Sequence, residues 1–133
     1  MPRVLLIEDN TEERRMYASL LYYNGFDVVE AKDAISGLQL ARAKRPDAIL
    51  MDVRLPAMSG LIATQILAAR NETSRIPVVC MTGLTNITPE HAQAAGCAAL
   101  LHKPIKNHDL VSTVRRCVDA VIGQPDAEPL DAR

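Results

Sequence analysis

Tryptophan is missing from this 133-residue sequence, phenylalanine occurs once and tyrosine three times, so a core built on aromatic rings is excluded. With 48% hydrophobic residues, the core must be aliphatic, and small aliphatic side chains suit helices packed on a sheet. Charge of one sign is also lacking. Fifteen basic residues against 16 acidic ones leave a net charge of −1, which provides no electrostatic footprint for nucleic acid or for an anionic membrane. Cysteine occurs three times, as Cys80, Cys97 and Cys117, with no C-x-x-C pair. The odd count and wide spacing argue against a disulfide framework or a zinc site, and the expectation is three small buried apolar side chains. Long hydrophobic runs are absent at the start. The apolar stretch Val4–Ile7 meets acid at Glu8, too soon for a secretory leader or a membrane span. A cytoplasmic location is expected.

What is present is alternation. The run Arg3–Ile7 is continuously apolar, the pattern of a strand buried on both faces. Asn10 or Thr11 can cap the helix that follows, with Glu12 and Glu13 favourable in its first turn. Met16, Leu20 and Tyr23 recur at helical spacing with Tyr17 and Leu21 beside them, and Asn24-Gly25 ends the helix. Asp27–Glu30 reads as a short strand whose acidic ends place it at a sheet edge. Ala34–Lys44 is a helix, with Ile35, Leu38 and Ala41 inward, broken by Pro46. Ala48–Met51 is the third strand. Leu61–Arg70 is a helix with Ile62, Ile66 and Leu67 toward the sheet. Ile76–Met81 is a fourth strand. Thr88-Pro89-Glu90 opens a short alanine-rich helix that stops at Gly96. Ala98–His102 is the fifth strand. A last helix from Asn107 or His108 carries Leu110, Val114, Cys117, Val118 and Val121 on one side. Residues 1–122 form one domain, and residues 123–133, with Pro125 and Pro129, read as a flexible tail or the start of a linker.

Five strands alternating with five helices imply an α/β fold with parallel strands and right-handed crossovers. The expected architecture is a flavodoxin-like (βα)5 three-layer sandwich whose five-stranded sheet has the order 2-1-3-4-5. In such sheets, ligands bind at the carboxyl tips of the strands, here in the crevice between strands one and three.

The stretch ending in Asp52 then becomes the centre of the chain. Asp52 closes the third strand and is followed by Leu55-Pro56-Ala57-Met58-Ser59-Gly60. Neighbouring strands lie about 4.8 Å apart, so Glu8, Asp9 and Asp52 converge. Unpaired, they repel and raise one another's pKa values. A divalent cation relieves this, and oxygen ligands at a wet strand tip suit Mg²⁺. Asp9 and Asp52 are expected as direct ligands and Glu8 through water, with the backbone carbonyl of Arg54 completing the set. Thr82 and Lys103 end strands four and five on the other side of Asp52. A hydroxyl and an ammonium beside a metal-bound carboxylate are the parts that hold a phosphoryl group, with Asp52 as the nucleophile. Singly, each part has an ordinary reading: Glu8-Asp9 as a helix cap, Thr82 as a turn residue, Lys103 as a surface lysine. Together they end four strands in the required order, at intervals of 43, 30 and 21 residues from Asp9 to Asp52, Thr82 and Lys103.

This ordered set, Glu8-Asp9, Asp52 with its Leu-Pro-x-Met-Ser-Gly turn, Thr82 and Lys103-Pro104, resembles the receiver domains of bacterial two-component signalling, over residues 3 to about 122. The resemblance implies a Mg²⁺-dependent transfer of phosphate to Asp52 from a histidine of a sensor histidine kinase or histidine phosphotransfer protein. It implies a cis bond between Lys103 and Pro104, an unidentified downstream protein partner, and a monomer or weak dimer. It also implies a domain that catalyses only its own phosphorylation and dephosphorylation. With no stretch after residue 122 for an output domain, the chain reads as a stand-alone receiver or one cut from a longer regulator or hybrid kinase. Two departures stand out. Leu100 occupies the position three before the lysine where receivers usually carry an aromatic, and Gly83 follows the threonine where alanine is common. Arg54 and Leu84 flank the phosphate position, and a fairly long-lived phosphoaspartate is expected. Arg14 or Arg15 and the Pro104-Ile105 loop border the crevice as a rim for the phosphodonor. His91, His102 and His108 lack metal spacing, and His102 should face away from the site. A rival reading, a small phosphohydrolase with Asp52 as nucleophile, lacks a second aspartate two residues on, where Arg54 stands. A flavin- or nucleotide-binding module lacks a glycine-rich loop after the first strand.

Overall fold

The computed structural model describes residues 1–122; the expected tail over 123–133 lies outside them. Five strands alternate with five helices in chain order: β1 (Arg3–Ile7), α1 (Thr11–Tyr23), β2 (Asp27–Ala31), α2 (Ala34–Lys44), β3 (Ala48–Asp52), α3 (Gly60–Ala69), β4 (Val78–Thr82), α4 (Pro89–Ala95), β5 (Ala99–His102) and α5 (Asn107–Ile122). All strand pairs are parallel and the order is β2-β1-β3-β4-β5, so β2 is an edge, as its acidic ends required. Every residue of β3 and β4 is buried, which is why both read as continuous apolar runs. The sheet has a core on each face. One gathers Leu5, Ile7, Ile49, Met51 and Cys80 under α2 and α3. The other gathers Val4, Leu6, Leu50, Val79 and Met81 under α1 and α5.

The helices bury faces other than some expected. Met16 and Tyr23 are 54% and 83% exposed, and α1 buries Tyr17 and Leu21 instead. Apolar residues cover so much of this helix that a one-position slip, about 100° of rotation, leaves a second plausible stripe. Ile35 on α2 and Ile62 on α3 also face outward, about half exposed. Their helices approach the sheet through small side chains: Ala34, Gly37 and Ala41 on α2, and Gly60, Ala63 and Thr64 on α3. A Cβ on Gly37 would overlap the Ile7 side chain. Close approach of helix to sheet thus favours small residues there, beside the expected Leu38 and Leu67, which are buried. On α5 the expected stripe holds, with Leu110, Val114 and Val118 buried and Cys117 partly so.

Helix ends follow their chemistry. Asn10, of the two candidates, caps α1 by accepting from Glu13 N at 2.8 Å. Asp33 caps α2 in the same way from Ser36 N, and those hydrogen bonds hold its carboxyl below the ordinary range. Thr88 caps α4, Pro89 follows at its first position, and Gly96 ends it at φ +103°.

Gly60 fastens α3 to the end of β3. Its N–H donates to Val53 O at 2.8 Å, and a Cβ there would overlap the Asp52 carbonyl oxygen and stand 3.0 Å from Val53 Cα. Both obstacles are backbone, so neither can rotate away. Gly60→Ala should cost about 2 kcal/mol of stability, read as a lower midpoint in urea unfolding; an unchanged midpoint would show that the start of α3 is free to shift.

One sequence expectation fails outright. Cys80 and Cys97 are not independent apolar fillers. They are paired as a disulfide, with Cα atoms 6.4 Å apart, and Cys117 alone is free. Spacing along the chain did not foretell this, because the pairing joins the middle of β4 to the loop between α4 and β5, which the fold brings together.

Candidate functional site

Three strand tips and the start of α1 meet in a crevice of about 400 Å³. β1 delivers Glu8 and Asp9. Glu8 is held by its own backbone, which donates to Ala31 O at 3.0 Å, and its side chain is 1% exposed. β3 delivers Asp52, 6% exposed, where the chain turns away after Val53 N has donated to Met81 O. β5 delivers Lys103, whose N–H donates to Thr82 O at 2.8 Å. Carboxylate oxygens of Glu8, Asp9 and Asp52 all lie within 4.8 Å of one another. Asp9, unlike the other two, is exposed.

Lys103 is the cation of this cluster. Its Nζ donates to Glu8 Oε1 at 2.9 Å and to Glu13 Oε1 at 2.7 Å, and lies 3.5 Å from Asp52 Oδ2. Burial disfavours its charge, but the hydrogen bonds to Glu13 and Glu8 and the charge of Asp52 outweigh that and raise its pKa. Burial pushes Glu8 up to about 7 against the pull of Lys103 and the Asn10 N–H, and the Asp52 charge adds to the rise. Burial likewise raises Asp52, opposed by the Lys103 charge and the Arg54 N–H. Such a site contains more negative charge than one lysine neutralises.

Glu13 was read from sequence only as a favourable acid in a helix first turn. Its role is larger. Glutamate at that third helical position commonly reaches back to the N-cap N–H. Here the Asn10 N–H already donates to Glu8 Oε2 at 3.1 Å, so Glu13 turns to Lys103 instead. The signal was available: an N-cap at Asn10 places Glu13 one turn in, beside the β1 tip.

Thr82 is at the end of β4 and fully buried, but its Oγ1 accepts from Leu84 N at 2.9 Å. The crevice wall on that side is Gly83 and Leu84, with Arg54 opposite. His102 is exposed, as alternation required, and its Nε2 sits 3.3 Å from Ile87 O in the loop before α4. Leu100 pairs in register with Cys80 and packs on the core. The Lys103–Pro104 bond is cis. Arg14 is not a free rim residue: it donates to Glu30 Oε1 and to the Glu8 carbonyl, whereas Arg15 is exposed. A larger groove of about 800 Å³ runs along α5 from His108 to Asp119, away from these carboxylates.

This geometry has known counterparts. Residues 4–115 match the family model of the response regulator receiver domain. The chain belongs to that family. Among curated receiver proteins, the polar-differentiation response regulator DivK of Brucella anthropi is 33% identical over 117 residues, covering 86% of this chain and 95% of the relative. Among solved receivers, that of a sensor histidine kinase from Pseudomonas aeruginosa superimposes with a TM-score of 0.81 at 32% identity, over 89% of this chain and 98% of the other, and was solved with a magnesium ion coordinated in its active-site cleft. The chemotaxis response regulator CheY4 of Vibrio cholerae has a TM-score of 0.81 at 28% identity, over 88% of this chain and 98% of its own. Receiver domains are signalling modules of two-component systems. They accept a phosphoryl group on an aspartate and bind Mg²⁺ at an acidic pocket, and the Glu8, Asp9 and Asp52 oxygens of this receiver form such a pocket. Close oxygen donors, with the Glu8 and Asp52 carboxyls both raised by burial, fit a hard divalent cation.

Proposed function

We propose that this receiver accepts a phosphoryl group on Asp52 from a phosphohistidine of a partner kinase or phosphotransfer protein, in a Mg²⁺-dependent step, and thereby switches a protein–protein interaction. The observation that supports this most is the cluster itself: Asp52 at the tip of β3, with Glu8 and Asp9 within 4.8 Å and Lys103 Nζ 3.5 Å away. Asp9 and Asp52 would hold Mg²⁺ directly, Glu8 through water, and the Arg54 carbonyl would complete the set. When bound, the ion would neutralise phosphoryl oxygens as they approach.

The residues of the chain do the rest. Asp52 Oδ attacks phosphorus in line, the histidine N–P bond breaks, and the imidazole departs. Lys103 exchanges its contacts with Glu13 and Glu8 for one with a phosphoryl oxygen, which is likewise charge-assisted. The Thr82 hydroxyl turns from Leu84 N to donate to another oxygen. That exchange frees the Leu84 N–H and loosens the loop before α4, which carries the signal outward as a population shift. Leu84 screens attacking water while Arg54 reaches the phosphoryl oxygens, so the phosphoaspartate outlives a free acyl phosphate. Exposed Arg15 and the Pro104-Ile105 loop form the donor rim. No helix among the described residues is long and apolar enough to cross a membrane, and the proposal places the domain in the cytoplasm as a monomer or weak dimer.

The test is intact mass after incubation with acetyl phosphate, with and without Mg²⁺. One phosphoryl adduct that needs Mg²⁺ supports the reading; no adduct in either condition, nor with any phosphohistidine donor, overturns it. Within it, Lys103→Ala should slow adduct formation about 100-fold, the usual scale for removing one group that stabilises developing charge. A loss under threefold would mean that Lys103 serves only the unphosphorylated cluster.

A further inference from the structure

The Cys80–Cys97 pair lies outside the carboxylate crevice and has no part in the chemistry above. We infer that it is a reversible thiol–disulfide site, oxidised by small disulfides of the glutathione class, which clasps the segment carrying Thr82 and Leu84. Three features of its setting carry this.

First, the pair is preformed. The Cα separation of 6.4 Å is within the span that disulfides bridge. Backbone hydrogen bonds set Cys97, Cys97 N to Ala92 O and Ala98 N to Val78 O, and Cys80 is set within β4 by its pairing with β3 and β5. The Thr64 hydroxyl stands 3.7 Å from Cys80 Sγ and 4.0 Å from Cys97 Sγ.

Second, only one sulfur is reachable. Cys80 is 0% exposed. Cys97 is partly exposed and lines a small cavity of about 240 Å³ with Ala92, Gln93 and Leu100. Cys97 is therefore the attacking thiol and Cys80 the resolving one. Cys117 packs on the opposite face of the sheet, so it cannot exchange with either.

Third, the loop that the bridge closes is lightly held. The 17-residue separation encloses Thr82, Gly83, Leu84 and all of α4. That helix has seven residues and buries only Ala92 and Ala95. Elements with so few buried contacts open locally at low cost, and a covalent tie at the end of α4 restrains that opening.

The reaction balances. The Cys97 thiolate attacks one sulfur of the small disulfide, whose S–S bond breaks and releases one small thiolate. Cys80 then attacks Cys97 Sγ and releases the second. The protons of the two cysteines pass to the released thiolates. The protein loses two protons and two electrons, and the oxidant becomes two small thiols.

The native protein, equilibrated across mixtures of reduced and oxidised glutathione, quenched with acid and then alkylated under denaturing conditions so that buried Cys80 is reached, tests this by mass. At the reducing end three alkylations are expected, and at the oxidising end one, mapped to Cys117. In Cys80→Ala, Cys97 should stop as a mixed disulfide with glutathione. Three alkylations throughout in the wild type, or a wild-type protein that itself stops at the mixed disulfide, would overturn the inference; the wild-type arm decides even if the variant fails to fold. Hydrogen exchange tests the clasp: α4 amides should exchange about tenfold more slowly in the oxidised form, and equal rates would refute it. Neither readout requires that Asp52 be phosphorylated.

Discussion

Asp52→Asn should take up no phosphoryl group from acetyl phosphate at any Mg²⁺ concentration, and should yet be more stable than the wild type in metal-free buffer at neutral pH. The two effects have one origin. Asp52 ends β3 inside a crevice it shares with Glu8 and Asp9, where burial raises its pKa against the pull of Lys103 and its charge crowds Glu8 and raises that carboxyl in turn. A carboxylate held there is a ready nucleophile once a cation shares the site and an unfavourable charge when none does. The amide retains the shape, loses the charge and cannot form the acyl phosphate. Relief of that crowding should raise metal-free stability by about 1 kcal/mol. Intact mass and thermal unfolding, with and without Mg²⁺, measure both. An adduct of undiminished yield would relocate the acceptor, with exposed Asp9 the first candidate. A variant less stable than the wild type without metal would mean that Lys103 already neutralises the cluster.

Metal-free wild type should lose stability as pH rises, the reverse of ordinary acid denaturation. Glu8 titrates at 4.5 in an unfolded chain and at about 7 in the folded one, chiefly because it is buried. The folded state thus binds the proton more tightly. The stabilisation is complete below the lower value and is lost as pH climbs through the upper one. A shift of that size corresponds to about 3 kcal/mol, or roughly 10 °C in melting temperature for a domain of this size. Added Mg²⁺, by holding the ionised carboxylates of the folded state, should flatten the profile. Melting curves between pH 4.5 and 8, with and without Mg²⁺, for wild type and Glu8→Gln, isolate the contribution of this one carboxyl. A wild-type slope equal to that of Glu8→Gln would place the Glu8 pKa at its ordinary value and remove the basis for charge crowding in the crevice.

The number, order and type of the elements were legible from local chemistry alone. Continuous apolar runs over β1, β3 and β4 announced strands covered on both faces. Asn10, Thr88-Pro89 and Gly96 marked helix ends, because capping is a property of a few adjacent residues. Alternation of strand and helix left one common sheet order, and that order placed Glu8, Asp9, Asp52 and Lys103 at neighbouring tips. What depended on distant parts of the chain was not legible. Ile35 and Ile62 have every sequence mark of core residues, yet α2 and α3 face the sheet with Ala, Gly, Thr and one leucine each, Leu38 and Leu67, and leave both isoleucines outside. Glu13 needed the knowledge that Glu8 occupies the Asn10 N–H, and Cys80 found Cys97 only because the fold brings the loop after α4 against the middle of β4. Local signals name the elements and their tips, since each draws on a few neighbouring residues. Tertiary packing alone decides which side chains meet, since those contacts join residues up to 95 positions apart, as in the Lys103–Glu8 pair.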